Sequence, residues 1–274
     1  VVRARGPLTE AEVLKLIEDA GGIDGFLNGD DEITSKVIDA GLAAPTPLKV
    51  IAKYGIGLDS IDVAHATAKQ VPVLFTPGVN HTTVAEHAIG LMIAASKHFW
   101  LHLREVKAGH WKRQTGNELA GKTLAVLGMG RIGKEVVKRA AAFGMTSIGY
   151  DVYWDDAFAA EHGVQRAASP EDAIRQADVI SLHMPATDET RGFINADRIA
   201  MCKEGVIVVN TARGGLVDEA AVAEACRTGR IKAYAADVLA TEPMQTPHPF
   251  HEIDNSLITP HVGSRTYESV ERLA

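Results

Sequence analysis

Apolar positions along this chain come in two rhythms. Short unbroken runs, such as TLAVL at Thr123 to Leu127, suit strands buried on both faces of a parallel sheet. Elsewhere apolar residues recur at helical spacing, as Ile132, Val136, Val137, Ala140 and Phe143 do between Arg131 and Met145, with Gly144 ending the helix. The two rhythms alternate. An opening VVRA strand leads to a helix in LTEAEVLKLIEDAGG, where Thr9 caps a face of Val13, Leu14, Leu16 and Ile17. GFLNG, ITSKVIDAGL, LKVIAKYGIG and VPVLFTPG continue the pattern and predict a first open sheet of parallel strands ending near Phe75.

A long helical stretch from His81 to Trp111 follows. Its Trp100, Leu101, Leu103 and Trp111 are candidates for a subunit contact, while Ala85 to Ala95 read equally well as a buried helix. Beyond Asp151 come a helix capped at Ser169-Pro170, strand DVISLHMP, a helix from Asn195, strand GVIVVNTAR, helix DEAAVAEACRTG, and strands AYAADV and SLITPH. This completes a second, doubly wound sheet. The fold class is α/β, with two parallel-sheet domains over 1–75 and 76–266.

Size and composition fit that organisation. A chain of 274 residues, 46% hydrophobic and 23% charged, is long enough for two domains and ordinary for a soluble globular protein. The net charge of −7 argues against a nucleic-acid partner and leaves small anionic substrates open. Cys202 and Cys226 are too far apart for a paired-cysteine site and read as buried reduced thiols. No apolar run reaches the roughly 18 residues that a membrane span needs, so a cytoplasmic location is expected. The chain starts without methionine and stops inside the helix-like TYESVERLA, so residues are expected to be missing at both ends.

The candidate chemistry starts at GMGRIG. Gly128 permits a tight turn after a strand, Gly130 lets a pyrophosphate approach the backbone, and Gly133 lets the next helix pack closely on the strand. The helix N-terminus then faces the anion. Asp151 ends the following strand, where a carboxylate accepts bonds from unphosphorylated ribose hydroxyls, and Val152-Tyr153-Trp154 bring no arginine to neutralise a 2′-phosphate. The cofactor is therefore read as NAD.

Three residues just after strands are placed to reach a ligand at the carboxyl end of the sheet: Arg213, Glu242 and His261. An arginine fork binds a planar carboxylate with two parallel bonds. A histidine exchanges a hydroxyl proton near neutral pH, and a carboxylate on its other ring nitrogen fixes the tautomer and stabilises the imidazolium. Metal binding is not expected, because His248 and His251 lack a second ligand pair at usable spacing.

LGMGRIG, NTARGGLVDE, DVLATEP and TPHVGSRT, with KYGIGLDSID and TPGVNHTTVAEHAIG upstream, resemble the D-isomer-specific 2-hydroxyacid dehydrogenases, especially the phosphoglycerate dehydrogenase-like branch. The resemblance covers nearly the whole chain. It implies a Rossmann NAD domain, a smaller flavodoxin-like substrate domain completed by 267–274, and a homodimer. It implies Arg213 as carboxylate clamp, Glu242 as histidine partner and His261 as acid/base in hydride exchange between the nicotinamide and C2 of a 2-hydroxy or 2-keto acid. Arg131, Ile132, Met184, Thr211 and Asp237 would join Asp151 and the glycines around NAD, with Asp237 near the carboxamide. Ile56, Gly57 and Asn80 would face the substrate.

One departure bears on the substrate. Phosphoglycerate dehydrogenases carry an arginine for the substrate phosphate where this chain reads FLNGDDEIT, with Asn28 followed by Asp30 and Asp31. Arg3, Arg5 or Lys53 could compensate, although a strand lysine can simply snorkel. A compact, unphosphorylated acid is the favoured substrate and 3-phosphoglycerate the alternative. An NAD-sensing regulator of the corepressor type is the alternative of another class, separable by a turnover assay.

Overall fold

A computed structural model describes residues 1–273, and the chain divides into two compact units. The first unit holds Val1–Asn80 and the C-terminal helix Tyr267–Leu273, and the second holds His81–Thr266.

In the first unit, α1 (Glu10–Ala20), β1 (Gly25–Asn28), α2 (Ser35–Ala43), β2 (Val50–Lys53), α3 (Val63–Ala68) and β3 (Val73–Leu74) build a parallel sheet in the order β1-β2-β3. Thr9 starts α1, its backbone N–H and hydroxyl both donating to Glu12 at 2.8 Å, and left-handed Gly21 stops it. Val13 and Ile17 bury against Ile33, Val37, Ile38 and Ile51. The expected opening strand does not form: Val1 and Val2 are exposed and pair with nothing in the sheet.

The second unit starts with α4 (His81–Lys97) and α5 (Phe99–Lys107). The continuous helix expected over 81–111 is broken at His98, whose φ of 54° is left-handed. There follow β4 (Thr123–Leu127), α6 (Arg131–Ala142), β5 (Thr146–Tyr150), α7 (Asp156–His162), β6 (Gln165–Arg166), α8 (Pro170–Gln176) and β7 (Val179–Leu182). The unit is completed by α9 (Ala196–Met201), β8 (Val206–Asn210), α10 (Glu219–Arg227), β9 (Ile231–Ala236) and β10 (Ser256–Ile258). All seven strands are parallel, in the order β10-β9-β8-β7-β4-β5-β6.

Side chains alternate across this sheet, and both faces are covered. Ala125 and Leu127 of β4 join a core with α8, α9 and α10, while Leu124 and Val126 join the core with α4 and α6. That is why TLAVL is apolar without interruption. Phe143, expected on the buried face of α6, lies beyond the helix end and is 42% exposed. Ala85, Ala88, Met92 and Ala95 of α4 are fully buried, as a core helix requires. Of the residues expected at a subunit contact, Leu101 is buried and the Trp100 indole N–H donates to the Asp254 carbonyl at 2.6 Å, so both are used within the chain; Leu103 and Trp111 are exposed.

The strand order reverses between β4 and β7, where consecutive crossovers leave in opposite directions. A crevice at the carboxyl ends of these two strands is where open α/β sheets take their ligands.

Candidate active site

The turn after β4 shows what each glycine of GMGRIG is for. Gly128 has φ of 99°, and a β-carbon on it would lie 2.5 Å from the His183 carbonyl carbon in the turn after β7. A β-carbon on Gly133 would lie 2.1 Å from the Gly128 carbonyl oxygen. Both are therefore required by the protein's own packing. Gly130 is different: its φ of −70° suits any residue, and no atom lies within 4 Å of where its β-carbon would be. It caps the N-terminus of α6, with open space over the first turn where backbone N–H groups and the helix dipole favour an anion.

Asp151 holds this turn in place. One of its oxygens accepts the Met129 N–H at 2.6 Å and the other the Tyr153 N–H at 2.8 Å. Each carboxylate oxygen retains acceptor capacity for a ribose hydroxyl. A recess beside Asp151 is lined by Tyr150, Val152, Arg166, Ala167 and Ala168. Val152, Tyr153 and Trp154 bring no arginine, as expected, but Arg166 of β6 lines the recess from elsewhere in the chain, its guanidinium 5.4 Å from the centre of the Trp154 ring. The local sequence after Asp151 gave no sign of it, because Arg166 arrives through the pairing of β6 with β5.

The remaining residues expected around the cofactor lie at the start of α6 or just after strands. Arg131 and Ile132 open α6, Met184 follows β7, Thr211 follows β8 and Asp237 follows β9. The Thr211 hydroxyl is buried without a hydrogen-bond partner, an orphan that a bound group would satisfy. Together with the open ground over Gly130, it shows that the residues present fit a dinucleotide. His183, beside the turn, is a feature the sequence reading did not single out. It bonds Ser181 through Nε2 at 2.8 Å, its Nδ1 is buried without a partner, and burial lowers its pKa to about 4, so the ring is neutral.

Arg213, Glu242 and His261 follow β8, β9 and β10, three neighbouring parallel strands, at their shared carboxyl end. Fully buried Asn210 shapes the first loop: its Oδ1 accepts the Ala212 N–H at 3.0 Å and its Nδ2 donates to the Arg213 carbonyl at 2.9 Å. Next to the arginine, a β-carbon on Gly214 would lie 1.9 Å from the Leu239 carbonyl carbon, so glycine is required there. Glu242 uses both carboxylate oxygens, one accepting the Leu239 N–H at 2.9 Å and the other contacting His261 Nδ1 at 2.7 Å. The imidazole is thus oriented by a carboxylate that is itself fixed by the backbone.

Asp237 is 3% exposed and accepts from the Thr259 hydroxyl at 2.5 Å, the Val262 N–H at 2.9 Å and the Gly263 N–H at 2.7 Å. Burial opposes its charge, but hydrogen bonds from His87, Thr259 and the two amides outweigh burial and hold the carboxyl below the usual carboxylate range.

A family model for the D-isomer specific 2-hydroxyacid dehydrogenase NAD binding domain matches residues 89–263. The chain belongs to the D-isomer-specific 2-hydroxyacid dehydrogenase family. It carries the family's NAD-binding domain, the second unit described above. D-3-phosphoglycerate dehydrogenase of Mycobacterium leprae is 44% identical over 242 residues, 87% of this chain and 46% of that protein. Hydroxypyruvate reductase of Thermotoga maritima is 39% identical over 270 residues, 97% of this chain and 85% of that protein. D-lactate dehydrogenase of Aquifex aeolicus, solved with NAD and lactic acid, has a TM-score of 0.82 at 30% identity, covering 93% of this chain and 81% of that one. The chain spans about half the length of the phosphoglycerate dehydrogenases it matches.

Ile56 and Gly57 follow β2, and Asn80 ends the first unit. Nearby, Asn28 at the end of β1 is buried, its Nδ2 donating to the Asp31 carbonyl at 3.3 Å and its Oδ1 without a partner. Lys53 does not snorkel: it is 6% exposed, donates to the Gly29 carbonyl and lies 2.9 Å from Asp30 Oδ1. Arg3 and Arg5 are exposed. His248, weighed above as a metal ligand, accepts the Phe250 N–H through Nδ1 at 3.3 Å, and among the described residues no His, Cys, Asp and Glu cluster could hold a metal ion. Nor is any described helix long and apolar enough to cross a membrane.

Proposed function

We infer that this chain reduces a small unphosphorylated 2-keto acid, or oxidises the matching D-2-hydroxy acid, with NAD. The observation that carries this reading is the His261–Glu242 pair at 2.7 Å, on the same sheet edge as Arg213 and at the carboxyl end of a sheet whose Gly130 turn fits a dinucleotide. NAD supplies the hydride donor or acceptor. Arg213 clamps the substrate carboxylate through its guanidinium fork and orients the adjacent C2 oxygen. With Nδ1 engaged by Glu242, His261 exchanges the C2 hydroxyl proton through Nε2, and Glu242 stabilises the imidazolium while that proton is held. Ile56, Gly57 and Asn80 contact the substrate. Asp151 binds the adenosine ribose, and Thr211 and Asp237 take part at the nicotinamide end.

The preference against a phosphate rests on the first unit. Asn28 brings no charge, and Lys53, the only buried cation beside it among the described residues, is already neutralised by Asp30. A phosphorylated substrate would have to displace that carboxylate. The second reading, D-3-phosphoglycerate, is favoured by the names of several relatives at 41–44% identity. The reading includes a cytoplasmic homodimer, with exposed Leu103, Val106 and Trp111 facing a second copy. Replacing Arg213 by alanine tests the assignment. NADH-dependent keto acid reduction falls by about a hundredfold or more, as loss of a charge-assisted carboxylate clamp requires; activity within a few-fold of the parent would remove Arg213 from the role.

A further inference from the structure

Behind the His261–Glu242 pair the second unit holds another imidazole and carboxylate, His87 and Asp237, and the loop that carries His261 hangs from them. The Asp237 carbonyl accepts the His261 N–H at 2.9 Å. Its carboxylate accepts from Thr259, Val262 and Gly263. Every residue from Thr259 to Gly263 except Pro260, which has no N–H, is therefore tied to this one aspartate. His261 sits in the middle of the tied segment with φ of 52°, a left-handed conformation that a residue with a side chain holds only where its surroundings enforce it.

His87 reaches this carboxylate from α4. Its Nε2 lies 3.0 Å from Thr259 Oγ1 and 3.3 Å from Asp237 Oδ1. A carboxylate only accepts, and the single Thr259 hydroxyl hydrogen goes to Asp237 at 2.5 Å, so Nε2 carries the proton and donates to both. Packing agrees with the hydrogen bonds. A β-carbon on Gly263 would lie 2.8 Å from Asp237 Oδ2 and 3.3 Å from His87 Cδ2, so the loop closes onto the pair only because residue 263 has no side chain.

We propose that His87 is a positioning residue for proton transfer at His261: by donating to Asp237 and Thr259 it fixes the 259–263 loop and so the place of the acid/base imidazole. This rests on the acid/base role inferred above for His261. The effect of His87 on His261 passes through Asp237 and Thr259.

The test uses the full chain labelled with ¹³C-histidine, with the His261 ring resonance identified by its loss in H261Q. In H87A that resonance shifts or broadens, and in H87Q, whose amide restores a donor, it returns toward the parent position. Under turnover, kcat for keto acid reduction falls on the order of tenfold to a hundredfold in H87A, while KM changes by less than about threefold, as misplacement of a reacting group requires. H87Q recovers most of the loss. T259V, which keeps the side-chain shape and removes the hydroxyl, shifts the same resonance and stands in if H87A does not fold. A His261 resonance unmoved in both H87A and T259V, or a kcat for H87A within twofold of the parent, overturns the proposal. If the parent turns over no keto acid while the resonance still responds to H87A, the positioning holds and the reaction assignment fails instead.

Discussion

Two of the histidine–carboxylate pairs at the carboxyl end of one sheet differ in exposure. The His261 and Glu242 side chains are 47% and 37% exposed, those of His87 and Asp237 23% and 4%. The first carboxylate has one backbone amide and one imidazole to serve. The second gathers two backbone amides, a hydroxyl and an imidazole. An exposed carboxylate with few ties can support proton exchange with a ligand at little cost to the fold. A buried carboxylate with many ties has no proton to trade, and those ties hold the 259–263 loop in place.

That difference predicts opposite consequences of substitution. The largest effect falls on H261Q, which lowers kcat for keto acid reduction by about 10²- to 10⁴-fold, the usual share of a general acid/base. Its denaturation midpoint stays close to the parent's, which circular dichroism in urea would check. E242Q comes next. It keeps an oxygen for the Leu239 amide and loses the charge that supports an imidazolium, so kcat falls by about ten- to a hundredfold, again with stability nearly unchanged. D237N inverts the pattern. Its amide nitrogen would face amide donors that now lack an acceptor, which costs about 1–3 kcal/mol of unfolding free energy in addition to any loss of rate. If H261Q and D237N lost stability equally, the distinction between the pairs would collapse.

A third imidazole, His183, has no carboxylate partner among the described residues. Its native pKa of about 4 lies below the ordinary 6.5, so below pH 6.5 the unfolded chain takes up a proton that the folded chain refuses. Stability is therefore full above that value and falls as pH drops toward 4, by roughly 3 kcal/mol at most. Asp237, held below its ordinary range, contributes stability that is present above that range and is lost as pH falls through its native value. Unfolding titrations of H183Q would show a flatter curve in the upper window only.

The sequence disclosed those parts of the molecule that are encoded locally. TLAVL and VIVVN read as strands because both of their faces are buried. GMGRIG and Asp151 read as a dinucleotide turn because the glycines, the helix start and the acid lie close together in the chain. Arg213, Glu242 and His261 could be picked out by their positions just after strands. What stayed hidden depends on contacts between distant residues or on weak local signals. Strand β6 is two exposed residues, Gln165 and Arg166, with no apolar pattern, so Arg166 could not be placed beside Asp151. The break at His98 is one residue in a left-handed conformation within an apolar stretch. The His87–Asp237 contact joins α4 to the end of β9, and neither neighbourhood hints at the other.

The glycines teach the same lesson about inside and outside. Gly128 and Gly133 are needed by neighbouring backbone, and alanine at either would collide with it. Gly130 has open space around it, so no neighbour within the chain requires its small size. G130A therefore leaves the folded state within about 0.5 kcal/mol, as an unstrained surface substitution does. It raises the Kd for NADH, read by fluorescence titration. A midpoint change larger than the affinity change would assign Gly130 to folding instead.

Hydride exchange on a compact keto acid held by Arg213 and served by His261 is the proposed reaction. Its most direct test is the initial rate of NADH oxidation by the full chain with glyoxylate, hydroxypyruvate, pyruvate and phosphohydroxypyruvate. Turnover is expected with at least one unphosphorylated acid, at a kcat/KM about tenfold or more above that for phosphohydroxypyruvate. A higher kcat/KM for the phosphorylated acid, or NADH binding with no turnover on any of the four, would contradict it.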